Sequence, residues 1–157
     1  MTILAETTAQ VLVSETITLP LAAVKIDEIV ASVPEMTCFV IANKVIFQGI
    51  LHKQIFFVDE NGIVRHLGVD IPFSGFVDLP GVTAGLACQL TPTVVFVGFE
   101  LLTPTQLREN VIIDVEVAVT NMPTNTFVVT QTLPQTPQRF RLPNTASVRG
   151  PNGGIPV

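Results

Sequence analysis

Residues 43–82, NKVIFQGILHKQIFFVDENGIVRHLGVDIPFSGFVDLPGV, constrain the fold more than any other part of the chain. They are rich in β-branched and aromatic residues, the types that suit a pleated, half-buried surface. Turn formers punctuate them at Gly49, Asn61-Gly62, Pro72, Gly75 and Pro80-Gly81. Read in order, the stretch predicts a β-meander: a strand, a tight break at Gly49, a strand at 55–59, a turn at 60–62, a strand at 63–69, a corner at 72–75 and a short strand at 76–79. Asn61-Gly62 can take positive φ at both positions, as a type I′ hairpin turn requires. The same stretch holds both histidines and two of the three lysines.

The rest of the chain continues this pattern. Val11, Val13, Glu15, Ile17 and Leu19 recur with period two and predict a strand that Pro20 stops. Val24, Ile26, Ile29, Val30 and Val33 stand at near-helical spacing before Pro34, which predicts one short helix over residues 24–33. Residues 86–99 are β-branched but interrupted by Pro92. In residues 110–120, Ile113, Val115, Val117 and Val119 face one way, with Asp114 and Glu116 among those facing the other. A last strand is expected at 126–132. Short strands with regular turn signals predict an all-β fold, a β-sandwich of jelly-roll-like or Greek-key type, carrying the one short helix. The expected organisation is an N-terminal arm at 1–9, a β-domain at 10–133 and a tail at 134–157. The tail is rich in proline, asparagine and glycine, and is expected to be extended or disordered in an isolated subunit.

Composition narrows the setting. The 157 residues are 48% hydrophobic and 13% charged, with a mean hydropathy of +0.56; the usual charged share is about 25%. No window supplies the roughly 18–20 consecutive apolar residues of a membrane span. The N-terminus carries an acidic residue and no basic one, unlike a Sec-type signal. Two readings account for so few charges: apolar surface covered by other subunits, or a large two-sheet core under a Thr/Asn/Gln surface. A net charge of −5 without any Lys/Arg cluster argues against nucleic acid as a partner.

No catalytic, cofactor-binding or metal-ligating set is expected from the sequence. His52 and His66 fall on adjacent strands of the expected hairpin, with Asp59, Glu60 and Asp70 nearby, but no third ligand stands at metal spacing. Asp114 and Glu116 read as the solvated side of a strand. Ser74 lacks a G-x-S-x-G elbow, and the glycines form no phosphate-cradling loop. Trp and Tyr are absent, which disfavours a carbohydrate-stacking platform. His52, Lys53, Arg65 and His66 are therefore expected as polar residues of a sheet face or a subunit interface. Cys38 and Cys88 sit in apolar surroundings without a CxxC motif and are expected as buried thiols. A disulfide is the alternative where the compartment oxidises and the geometry allows.

At residues 44–82 the chain resembles the SPOCS domain of endospore-forming Firmicutes, also catalogued as a domain of unknown function. The resemblance lies in Lys44, Val45, Ile46 and Gly49, then Leu51, His52 and Lys53, then Ile55, Phe56, Phe57, Val58 and Asp59. It continues through Gly62, Val64, Arg65 and His66, then Pro72, Phe73, Ser74, Phe76, Val77, Asp78 and Pro80-Gly81. Residues 24–33 and 111–119 are similar to flanking segments of the same family, so the likeness spans about residues 10–120. It implies a role at the spore envelope, where such domains assemble coat layers by protein–protein contact. The LysM module of many longer members is not found in this sequence, so the domain's own surface is expected to be the functional part.

The expectation is a non-enzymatic, self-assembling subunit of the endospore surface, forming a coat layer or a filament, made in the mother-cell cytoplasm. Its partners would be copies of itself, through residues 1–9 and 134–157, and other spore coat proteins. The alternative is a monomeric adaptor that recruits another coat morphogenesis protein.

Overall fold

The computed structural model describes residues 2–123 and 138–141. Its elements are β1 (Ile3–Thr18), β2 (Ala23–Ile41), β3 (Lys44–Asp59), β4 (Val64–Asp78), β5 (Leu86–Thr103), β6 (Gln106–Pro123) and β7 (Gln138–Arg141). They form two antiparallel sheets, ordered β1-β6-β5 and β4-β3-β2-β7. Strands β2, β3 and β4 follow one another as hairpins. The chain then returns so that β5 lies beside β2, where Gly85 N–H donates to the Val40 carbonyl at 3.4 Å. The inward side chains of β3 (Val45, Phe47, Leu51, Ile55, Phe57) and of β6 (Val111, Ile113, Val115, Val117) join one buried apolar cluster.

The short helix expected over residues 24–33 does not occur; these residues are the first half of β2. The physical reason is bulging. Register shifts at Ala23/Lys25, Ile26/Glu28 and Ser32/Glu35 each give β2 one residue more than its partner β3. The β2 positions that join the buried apolar cluster therefore run Ala23, Ile26, Ile29, Ala31, Val33, Met36, Cys38 and Val40. Each bulge lengthens one step from two residues to three, and a run of threes imitates helical spacing. Pro34 sits in the third bulge, a position that tolerates a missing N–H.

The breaks expected at Gly49 and at 72–75 are also absent, since both lie inside long strands. Register places Gly49 opposite Phe73, and Gly75 opposite Phe47. A Cβ on Gly49 would come within 2.8 Å of the Phe73 ring, and one on Gly75 within 2.8 Å of the Phe47 ring. Each glycine makes room for the aromatic ring across from it. Pro72 is accommodated because β4 is the outermost strand of its sheet, as is β5 at Pro92.

The hairpin at Glu60-Asn61-Gly62 forms as expected, with a different turn. Gly62 has φ 78°, whereas Asn43 is the non-glycine residue with positive φ among the described residues, so Asn61 does not take the type I′ conformation. Gly62 N–H donates to the Asp59 carbonyl, and Asp59 N–H to the Ile63 carbonyl. This is the three-residue loop that ends in a left-handed glycine. Asn43 itself binds the β4–β5 connection: its carbonyl accepts from Leu79 N–H at 2.9 Å, and its side-chain oxygen from Gly81 N–H at 2.8 Å.

Residues 3–9, expected within an arm, are the start of β1 and pair with β6 from Ile3 onward. The strand expected at 126–132 lies outside the described residues, as does the tail 134–157 apart from β7. Cys38 and Cys88 are buried as expected but are not thiols. They form a disulfide with a Cα–Cα distance of 6.4 Å, because β5 returns beside β2.

Candidate functional site

The densest polar chemistry lies inside the molecule, between the sheets. Glu15 on β1 and Glu109 on β6 are direct cross-strand partners. Two carboxylates placed opposite each other repel. Lys53 reaches them from β3 in the facing sheet: its Nζ donates to Glu109 Oε1 and lies 3.6 Å from Glu15 Oε1. Lys53 and Glu109 side chains are 1% and 0% exposed, and Glu15 is 27% exposed. Lys53 is opposite Ala31 on β2, a small neighbour beside the lysine stem. Burial pushes the Glu109 carboxyl above its ordinary range, and the nearby Lys53 ammonium only partly opposes this.

Lys53 is thus not the sheet-face or interface residue expected from the sequence. It belongs to the unbroken inward register Val45, Phe47, Gly49, Leu51, Lys53, Ile55, Phe57. The signal was present, because a lone charge in an alternating apolar register points inward with its neighbours. Glu15 follows Val11 and Val13 in the same way, and Glu109 stands between Leu107 and Val111. Three strands each carry one such charge, and the fold brings the three together.

Of the other expected residues, His52 and His66 lie on the outer side and Arg65 ends the inward register of β4, opposite Phe57; the structure does not assemble them. His52 Nδ1 is 2.6 Å from Asp70 Oδ1, its cross-strand partner. His66 packs on Phe56, with ring centroids 5.0 Å apart. His52 and His66 therefore pair with different residues, separated by four strand positions, about 13 Å. Arg65 Nε donates to Asp59 Oδ2 at 2.8 Å, while Asp59 Oδ1 accepts from Asn61 and Ile63 N–H. The Arg65 hydrogen bond, then those from Ile63 and Asn61, hold the Asp59 carboxyl below its usual range. That set fixes the hairpin turn.

An open depression of about 590 Å³ crosses β2, β3 and β4 at the third bulge, lined among others by Glu35, Gln48, Ile50, Pro72 and Ser74. No group of three or more His, Cys, Asp or Glu side chains among the described residues could hold a metal ion. No helix of the described residues is long and apolar enough to cross a membrane. Large apolar side chains stand exposed on the outermost strands: Leu4 and Leu12 on β1, Val64 and Phe76 on β4.

Residues 23–102 match the family model described as SipL, SPOCS domain. No curated protein and no solved structure matches the chain.

Proposed function

This chain belongs to the SPOCS domain family, and on that premise we propose that it is a structural, non-enzymatic subunit of the endospore surface. In this reading it is a β-sandwich that assembles with copies of itself into a coat layer or filament. The observation that carries the reading is the state of β1 and β4, an outermost strand of each sheet. They are 16 and 15 residues long and expose Leu12 at 64% and Phe76 at 62%. Long outer strands with exposed apolar side chains are templates for pairing with another chain, and assembly would cover that surface.

The test is light scattering coupled to gel filtration, with negative-stain microscopy, on the purified chain and on Leu12→Lys and Phe76→Lys. Ordered polymers that shorten or vanish in the lysine variants support self-assembly. A monodisperse monomer at every concentration overturns it and favours the adaptor that recruits a different coat protein.

A further inference from the structure

Lys53 and Glu109 are enclosed between the sheets with Glu15 beside them, and as an ion-pair network the three are incomplete. A buried ion pair is stabilising only when its remaining lone pairs are satisfied. Here Glu109 Oε2 and Glu15 Oε1 are buried and make no hydrogen bond within the protein. Two carboxylates converge on one amine, from two strands of the facing sheet, in a site where Lys53 and Glu109 are cut off from solvent. An amine in contact with one carboxyl, with a second carboxylate positioned as a base, is the set of groups that amide condensation needs.

We propose that Lys53 and Glu109 condense into an intramolecular amide that joins the two sheets, with Glu15 as the proton-transfer group. In the step, Lys53 Nζ gives one proton to the Glu15 carboxylate, and the neutral amine attacks Cδ of protonated Glu109. The Nζ–Cδ bond forms and the Cδ–Oε2 bond breaks. The departing hydroxyl takes a second proton from Nζ and leaves as water. The positive charge of Lys53 disappears with the proton that Glu15 takes up and passes to solvent through its partly exposed side, which leaves Glu15 a carboxylate again. No oxidant or co-reactant enters. Burial shifts Glu109 toward the acid form that can lose water. Holding the amine against the carboxyl removes the entropic cost of bringing them together, and a dry site opposes the return of water. The product ties β3 to β6, while Cys38–Cys88 ties β2 to β5. The cross-link does not depend on assembly, since a monomer would carry it equally.

The test is intact-mass spectrometry of the purified full chain, reduced and denatured, followed by peptide mapping. The expected result is a mass lower than the sequence by one water, with the peptide containing Lys53 joined to the peptide containing Glu109 and no tryptic cleavage after Lys53. Lys53→Arg is expected to restore the full mass. Glu15→Gln is expected to slow cross-link formation by about 100-fold or more, the usual scale of acid–base assistance. A wild-type chain at its full mass, cut by trypsin after Lys53, overturns the proposal whatever the variants do.

Discussion

His52 and Lys53 are neighbours in sequence that face opposite sides of β3 and meet different physics. On the outer side, His52 pairs with Asp70, Lys44 with Asp78 and His66 with the Phe56 ring, all with access to water. On the inner side, Lys53 is enclosed with Glu109 and reaches toward Glu15. Exposed pairs of this kind contribute about 0–1 kcal/mol, because water and salt screen them and the side chains lose freedom. A buried group has no such substitute partner, so removing one member leaves an uncompensated charge. The glycines divide in the same way. Gly49 and Gly75 lie under aromatic rings, whereas a Cβ on Gly68 would come no closer than 3.9 Å to the His66 ring. Side-chain type says little here; the face on which it falls decides its energetic weight.

The contrast can be broken most directly at residues 52 and 53. Lys53→Met is expected to cost about 3–5 kcal/mol in denaturant unfolding, and His52→Ala no more than about 0.5 kcal/mol. Equal costs would dissolve the distinction between the faces. Next in size is the other inter-sheet tie. Reducing Cys38–Cys88, which spans 50 residues, is expected to lower stability by up to about 4 kcal/mol, read as a drop in the denaturation midpoint with a reductant present. An unchanged midpoint would show that the disulfide is dispensable. Gly75→Ala is expected to cost about 1–3 kcal/mol, because Phe47 must leave its position. Gly68→Ala is expected to be neutral or slightly stabilising. Thermal melts of the two variants sharpen the comparison, and a Gly75→Ala protein that melts like Gly68→Ala would refute the ring-over-glycine account.

The smallest effect is on pH dependence, and two carboxyls carry opposite signs. Asp59 has a lowered carboxyl, so its contribution is present above its ordinary value of 3.8 and is lost as pH falls through the lowered one. Glu109 is raised, so the folded protein holds its proton more tightly. Its contribution is full below the ordinary 4.5 and is lost as pH rises through the raised value. Stability measured against pH should lose its acid-side dependence in Asp59→Asn and its higher-pH dependence in Glu109→Gln. A wild-type profile already lacking the Glu109 component is what the amide cross-link requires.

Much of the fold was legible because strand periodicity is local. The alternation from Ile113 to Val119 predicts the buried face observed, and Asp59 to Ile63 marks the hairpin correctly although its turn type differs. The helix expected over residues 24–33 failed for a local reason as well: three bulges on β2 reset the alternation. Gly49 and Pro72 resemble punctuation in the sequence because these types usually mark breaks. Their meaning depended on Phe73 across the ladder and on β4 being outermost.

By itself the sequence determined the β-class, the hairpin linking β3 and β4, and the family resemblance in residues 44–82, since each rests on residues close together in the chain. Glu15, Lys53 and Glu109 each stand in an apolar register of the sequence, although the expectation for Lys53 was a sheet face or an interface. Only the tertiary structure decided that those three charges share one site and that Cys38 meets Cys88. Those encounters depend on which strands of two different sheets come to face one another. Strand periodicity fixes the face of each strand, and it leaves the choice of partner sheet to the packing of the whole chain.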